Sequence, residues 1–305
     1  MPTEARAVSG IWLPLVTPWR DDRLDEISLR RLVRHYASEP VDGLILAATT
    51  GEGLTLEEAE KERLVTVAAE VAAAMVRPVP LYLGVSGSFT RHVAADLART
   101  ERWPIDGYLV TCPYYTRPAQ DGLYAHFAML AEATARPILI YNIPYRTGVN
   151  MHNDTMLRLA ERDNIVGVKD CCADPAQSLD LLRRRAPGFA VLTGEDASFH
   201  GALAQGADGG ILASAHVETR AFARVRDRLV SGDQHGALQA WYDLVDLPRL
   251  LFSEPSPAPI KHCLWRIGLI ESPEVRLPMT PVSGSLAAVI DREIARGRGI
   301  GTLNG

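Results

Sequence analysis

Short continuous runs of apolar, mostly β-branched residues recur along the chain, and between them the apolar positions change to helical spacing. A short run bounded by turn residues reads as a strand buried on both faces, and an i, i+3, i+4 recurrence reads as one face of a helix. The runs fall at residues 11–17, 43–47, 80–85, 107–111, 138–142, 165–169, 190–193 and 209–213. Among the helical stretches, one places Leu64, Val65, Ala68, Val71, Ala72 and Met75 on one face, with Thr55 and Glu58 at capping-box spacing ahead of it. Asp174-Pro175 reads as a cap followed by a first-turn proline, and Gly206 as a helix terminator. Repeated strand–helix units of this kind predict an α/β fold, a (β/α)8 TIM barrel, over residues 1–232. A doubly wound sheet usually has fewer strands, and no G-x-G-x-x-G follows the first run. Beyond residue 232 the strand pattern stops. Helices are predicted at 234–252, 258–268 and 283–296, around proline-rich breaks, so 233–305 is expected to form a C-terminal helical extension packed on the barrel.

Composition narrows the function classes. With 305 residues, 47% hydrophobic and 23% charged, the chain has the make-up of a soluble globular protein. A net charge of −5 offers no electrostatic footprint for nucleic acid or an anionic membrane. Met1–Gly10 has no apolar targeting core, and the most apolar helical run, 65–76, is too short to span a bilayer. The four cysteines, Cys112, Cys171, Cys172 and Cys263, show no C-x-x-C spacing and fit a reduced, cytoplasmic protein. The histidines are scattered, His216-Val217-Glu218 has no P-C-x-x-C partner, and neither H-E-x-x-H nor a phosphate-binding P-loop occurs, so no metal site is expected.

Candidate chemistry centres on Lys169, one of only three lysines, at the end of the run 165–169. A lysine carried on so apolar a strand either snorkels its head to water or is desolvated, and a desolvated amine is a Schiff-base nucleophile. In a barrel the chemistry sits where strands end. The second run is followed by Thr49-Thr50-Gly51-Glu52-Gly53, either a plain turn or a cradle of hydroxyls and N–H groups for a carboxylate. The fourth is followed by Tyr114-Tyr115, a pairing more often used for packing than for catalysis. The fifth carries Tyr141 next to its end, with Arg146 five residues on: a phenol that can pass protons near a guanidinium that can grip a carboxylate. Amine, phenol, cradle and arginine on one rim suit a lysine Schiff-base lyase or aldolase acting on a 2-oxo acid.

Thr49-Thr50-Gly51-Glu52-Gly53, Tyr141-Asn142-Ile143-Pro144, Arg146-Thr147-Gly148, Gly167-Val168-Lys169 and Gly194-Glu195-Asp196-Ala197-Ser198 resemble the dihydrodipicolinate synthase / N-acetylneuraminate lyase family of class I aldolases over nearly the whole chain. Arg276-Leu277-Pro278-Met279-Thr280-Pro281 is similar to the synthase branch. The resemblance implies an imine between Lys169 and pyruvate, with no other cofactor, and proton shuttling by Tyr141 with Thr49 and Tyr115. It implies cross-subunit contact through Tyr114 and Tyr115, and pyruvate carboxylate binding by Thr49 and Thr50. Gly209 and Ile211 are also placed among the substrate-binding residues. Arg146 is implied to hold the carboxylate of aspartate semialdehyde, giving 4-hydroxy-tetrahydrodipicolinate synthase activity in lysine biosynthesis by a homotetramer, a dimer of dimers. Alternatives are an aldolase or dehydratase using another aldehyde or a 2-keto-3-deoxy sugar acid, and a non-catalytic 2-oxo-acid binder. Departures from the family pattern are Ala48, where glycine is usual, Tyr145, and Asp170-Cys171-Cys172, expected to line the pocket for the second substrate.

Overall fold

Alternate residues along each strand face two different cores, and this sorting closes the sheet into a cylinder. The structure, a computed structural model, describes residues 8–296; most of the opening segment read above for a targeting signal lies outside them. The parallel strands are β1 (Gly10–Pro14), β2 (Gly43–Leu46), β3 (Leu81–Val85), β4 (Gly107–Thr111), β5 (Ile138–Asn142), β6 (Ile165–Asp170), β7 (Ala190–Thr193) and β8 (Gly209–Ile211). They pair in sequence order, and β8 returns to β1 to close the barrel. Around them lie α1 (Glu26–Ala37), α2 (Glu58–Ala73), α3 (Thr90–Thr100), α4 (Gln120–Glu132), α5 (Asn153–Leu159), α6 (Pro175–Arg184), α7 (Phe199–Ala204) and α8 (Ala215–Val230). This is the (β/α)8 barrel that the alternation of runs predicts.

Element ends differ from expectation where backbone groups find other partners. Val16 N–H donates to His216 Nε2 (3.2 Å) and Ser214 N–H to Asp196 Oδ2 (2.5 Å), so β1 and β8 stop short of residues 17 and 213. The cap of α2 is Glu57, whose N–H donates to the Glu60 carboxylate (3.0 Å). Thr55 instead turns its hydroxyl to the Glu52 carbonyl (2.9 Å). Asp174 does cap α6, accepting from Ala176 N–H (2.9 Å).

The inner core holds Trp12, Ile45, Tyr82, Leu109, Leu139, Leu192 and Ile211; a larger outer core lies between strands and helices. Trp12 and Tyr82 meet edge to face at 4.8 Å. They fit because Gly43 and Gly107 lie beneath them. A Cβ there would stand 2.4 Å from the Trp12 ring and 2.5 Å from Tyr82 Cζ. These aromatics fill the N-terminal half of the cylinder, which leaves only its C-terminal end for a pocket.

The C-terminal helices are α9 (Gln234–Tyr242), α10 (Asp246–Leu251), α11 (Ala258–Arg266) and α12 (Gly284–Ala295). The single helix expected at 234–252 is two, because Pro248 has no N–H to continue an α-helical ladder and sits instead in the first turn of α10. α9 and α11 pack on α8, and α10 packs on the turn Asp196–Ser198. A short hairpin that sequence reading missed, Trp19–Arg20 against Arg23–Leu24, turns through Asp21 and Asp22 at φ +53° and +57°. Its turn amides donate to the Glu274 carboxylate (2.9 and 2.8 Å). No described helix is long and apolar enough to cross a membrane.

One buried network ties these parts together. Lys261, fully buried, pairs with the Glu52 carboxylate and donates to the Glu274 carbonyl (2.7 Å). Glu52 also accepts from Trp19 Nε1 (3.1 Å) and Arg276 N–H (2.8 Å). The Arg276 guanidinium lies 3.7 Å from the Trp19 ring centre and grips Glu60 through two contacts of 2.6 Å. Burial pushes the Lys261 ammonium down to about 8 while Glu52 pulls it back up, so Lys261 stays mostly cationic at neutral pH. Lys261→Met strands a buried carboxylate and is expected to cost about 3–5 kcal/mol in denaturant unfolding. A loss below about 1 kcal/mol would show that the pair does not hold the C-terminal region to the barrel.

Candidate active site

Strand register places the central groups. Tyr141 on β5 pairs directly with Lys169 on β6, so their side chains leave the same face of the sheet, into the barrel. Lys169 is 6% exposed, and its Nζ lies 4.3 Å from the centre of the Tyr141 ring. Thr111, buried beside Tyr141 on β4, leaves its hydroxyl without a hydrogen-bond partner among the described residues.

The two most deeply buried lysines differ in their partners. Lys261 has a carboxylate and a carbonyl; Lys169 has no hydrogen bond or ion pair among the described residues. Burial drives the Lys169 ammonium below its ordinary range, and Arg146 adds to this; Cys171, Asp196 and Glu195 pull the other way. The same burial pushes the Tyr141 phenol well above its usual value, opposed by Arg146 and by the hydroxyl of Thr49. Burial thus favours the neutral amine at Lys169 and the protonated phenol at Tyr141.

The cradle loop follows β2. Thr50 is buried and Thr49 is exposed at the mouth. Thr17 Oγ1 donates to the Gly51 carbonyl (2.6 Å), and the Glu52 network holds the next residue. Arg146 sits at the rim on a one-turn helix, Pro144–Thr147, over the Tyr145 ring (5.8 Å).

Two sequence expectations are corrected, Gly209 as a substrate contact and Asp170 as a pocket wall. Gly209 opens β8 at the end away from the mouth, where a Cβ would meet the Gly10 carbonyl at 2.0 Å. The glycine that touches the lysine is Gly194, where a Cβ would stand 2.4 Å from Lys169 Cε and 2.3 Å from Cys171 Sγ. Ile211 lies inside the barrel beside Trp12. Tyr115 is 92% exposed at φ +70°, so this chain alone does not bring it to Lys169; Tyr114 is half-buried, its carbonyl accepting from Ser88 Oγ (2.6 Å). Of Asp170-Cys171-Cys172, Cys171 joins the inner core and Asp170 faces outward, accepting from Ser178 Oγ (2.5 Å) and Cys172 N–H (3.0 Å). Sequence reading named Glu195 and Asp196 only within the family-like run Gly194–Ser198 and gave them no role; both lie near enough to Lys169 for their charge to act on it. No cluster of three or more His, Cys, Asp or Glu able to hold a metal occurs among the described residues.

The profile of the Dihydrodipicolinate synthetase family matches residues 7–295. A 4-hydroxy-tetrahydrodipicolinate synthase 2 of Clostridium acetobutylicum is 42% identical over 285 residues, covering 93% of this chain and 99% of that protein. The dihydrodipicolinate synthase of Aquifex aeolicus superposes with a TM-score of 0.90 at 31% identity, covering 97% of this chain and 100% of the other. The pyruvate-complexed, chloride-inhibited dihydrodipicolinate synthase of Acinetobacter baumannii gives 0.89 at 32% identity, covering 96% and 99%. With its barrel, its buried amine beside a phenol and this coverage, the chain belongs to the dihydrodipicolinate synthetase family.

Proposed function

We propose that this chain is a 4-hydroxy-tetrahydrodipicolinate synthase, condensing pyruvate with aspartate semialdehyde through an imine on Lys169. The observation that carries the reading is a lysine buried without a partner among the described residues, 4.3 Å from the Tyr141 ring centre on the adjacent strand.

The chemistry follows from those two groups. The neutral Lys169 amine adds to the ketone of pyruvate, whose carboxylate rests on Thr49 and Thr50, and water leaves. The protonated imine draws electrons from the methyl group, a proton departs, and an enamine forms. The enamine carbon attacks the aldehyde, whose carboxylate is gripped by Arg146. The adduct's amine then displaces Lys169 as the ring closes. Tyr141 can pass protons in both directions while remaining a phenol overall, because its raised pKa disfavours the phenolate. The imine needs no cofactor. We assign the completion of the relay to Tyr115 of a neighbouring subunit in a homotetramer, since a tyrosine 92% exposed on a rim loop is free to reach another copy. Four free cysteines suit the cytoplasm.

Borohydride reduction in the presence of pyruvate is expected to add a pyruvate-derived mass to the Lys169 peptide, and Lys169→Met to abolish it. An adduct absent from the wild-type peptide would refute the mechanism. Tyr141→Phe should lower kcat by about 10²-fold or more, since it removes a general acid–base group, with a much smaller change in pyruvate KM.

The lowered Lys169 pKa sets the direction of two pH effects. Between the lowered value and the ordinary 10.5, the folded lysine is neutral while the unfolded one is charged. The unfolded state then binds more protons, so this residue's contribution to stability rises with pH and is lost as pH falls. Lys169→Met should flatten that part of the stability–pH curve. Pyruvate imine formation, followed by stopped-flow, should show its basic inflection well below the value for free lysine. An inflection near 10.5 would mean that the amine is solvated.

A further inference from the structure

We propose that Cys171 and Lys169 form an oxidative modification site: a hydroperoxide oxidises the Cys171 sulfur, and the Lys169 amine closes a sulfur–nitrogen bond onto it, which a thiol reverses.

The two residues stand two apart at the end of β6, and both turn into the barrel. Gly194 marks their contact. A single point, the place of a Cβ on that glycine, lies 2.3 Å from Cys171 Sγ and 2.4 Å from Lys169 Cε. Lys169 is 6% exposed and has no hydrogen bond or ion pair among the described residues, so an unpartnered amine, not the thiol alone, defines the site. The other cysteines differ. Cys112 and Cys263 lie in the outer core, and Cys172 is half-buried and does not join the inner one. Lys261, two residues before Cys263, is already paired with Glu52.

A buried thiol is ordinarily inert, because the thiolate is the reactive form. Burial holds the Cys171 thiol protonated, and Glu195 and Asp170 act the same way; Lys169 opposes them and favours the thiolate. For access alone the proposal rests on the reading above: a mouth that admits pyruvate to Lys169 admits hydrogen peroxide, which is smaller. The amine takes the S–H proton and the thiolate attacks the peroxide. An S–O bond forms, the O–O bond breaks, sulfur gives up two electrons, and hydroxide departs. Hydroxide recovers the proton from the ammonium as water, and the amine is neutral again. Its lone pair then attacks sulfur. The N–S bond forms, the S–O bond breaks, and the leaving hydroxide takes an amine proton as a second water. The property that lets Lys169 add to a ketone thus lets it add to a sulfenic acid. Two thiols reverse the link, the first cleaving N–S as a mixed disulfide and the second freeing Cys171. Pyruvate held as an imine occupies the lone pair and blocks the closure.

The test treats the protein with hydrogen peroxide, with and without pyruvate, and removes the peroxide with catalase. It then reads deuterium exchange into the pyruvate methyl group and the masses of peptides digested without reductant. Peroxide is expected to lower methyl exchange by about tenfold or more, with the peptide spanning Lys169 and Cys171 two hydrogens lighter and uncleaved after Lys169. Dithiothreitol should restore both, and pyruvate present during oxidation should prevent both. Cys171→Ala, and Cys171→Ser as the variant closer in volume, should keep their exchange after peroxide, while Cys172→Ala should behave as the wild type. Equal losses in the Cys171 variants, a lighter peptide that requires Cys172 and is therefore a disulfide, or a loss that dithiothreitol fails to reverse would overturn the proposal and leave the lyase reading intact. A wild type without methyl exchange before any peroxide would instead overturn the lyase reading, and the lighter peptide alone would then decide the link.

Discussion

The structure turns on how a protein interior treats a primary amine. Taking an ammonium out of water is costly, and there are two ways to meet the cost: supply a counter-charge or let the proton go. This chain does both. Lys261 receives Glu52 and a backbone carbonyl, remains a cation, and fastens a helix to the barrel. Lys169, on a strand facing the inner core, receives neither among the described residues, and burial moves the balance toward the neutral amine. The same side chain is a structural cation in one place and a candidate nucleophile in the other, and what decides between them is the nearest acceptor.

The barrel makes that amine accessible by filling its own lower half. Trp12 and Tyr82, seated over Gly43 and Gly107, exclude water from below. The layer above holds Tyr141 and Lys169 instead of further hydrocarbon. Because neighbouring strands share register, a one-residue slip of β6 would turn Lys169 into the outer core and bring Asp170 inward, replacing an amine by an acid. The observed outward bonds of Asp170, to Ser178 and to the Cys172 amide, oppose such a slip. Parity along one strand separates the candidate nucleophile from scaffold.

That parity is also why so much could be read from sequence. Apolar runs of strand length located all eight strands, and a lysine closing one of them singled out Lys169. What stayed hidden depends on three-dimensional closure. Gly194 and Gly209 both follow or open short strands, and nothing local distinguishes the one against Lys169 from the one against Gly10. Glu195 has no periodic signature, and that one of its oxygens is buried without a partner among the described residues is a fact of packing. The hairpin at Trp19–Leu24 was masked by charged residues, since its two-residue turn, Asp21-Asp22, is stabilised by a carboxylate far along the chain, on Glu274. Tyr115 could be placed on a rim loop, but its exposure could not be anticipated from Tyr114-Tyr115 alone.

The C-terminal helices act on the mouth as well as on the barrel wall. Lys261 of α11 holds Glu52, two residues beyond Thr50 in the loop assigned to the pyruvate carboxylate. α10 packs on the turn Asp196–Ser198, just after Glu195. Two loops of the mouth, one of them proposed to meet pyruvate, are therefore braced by the same region, and neither is held by its strand alone. A loop attached only at its ends can relax when a charged ligand leaves; one pinned by a buried ion pair or a packed helix keeps its geometry, so less ordering entropy is lost on binding. Preorganisation of this kind gives the region past the closed barrel a physical role: the cylinder carries the amine, and the added helices brace two of the loops beside it.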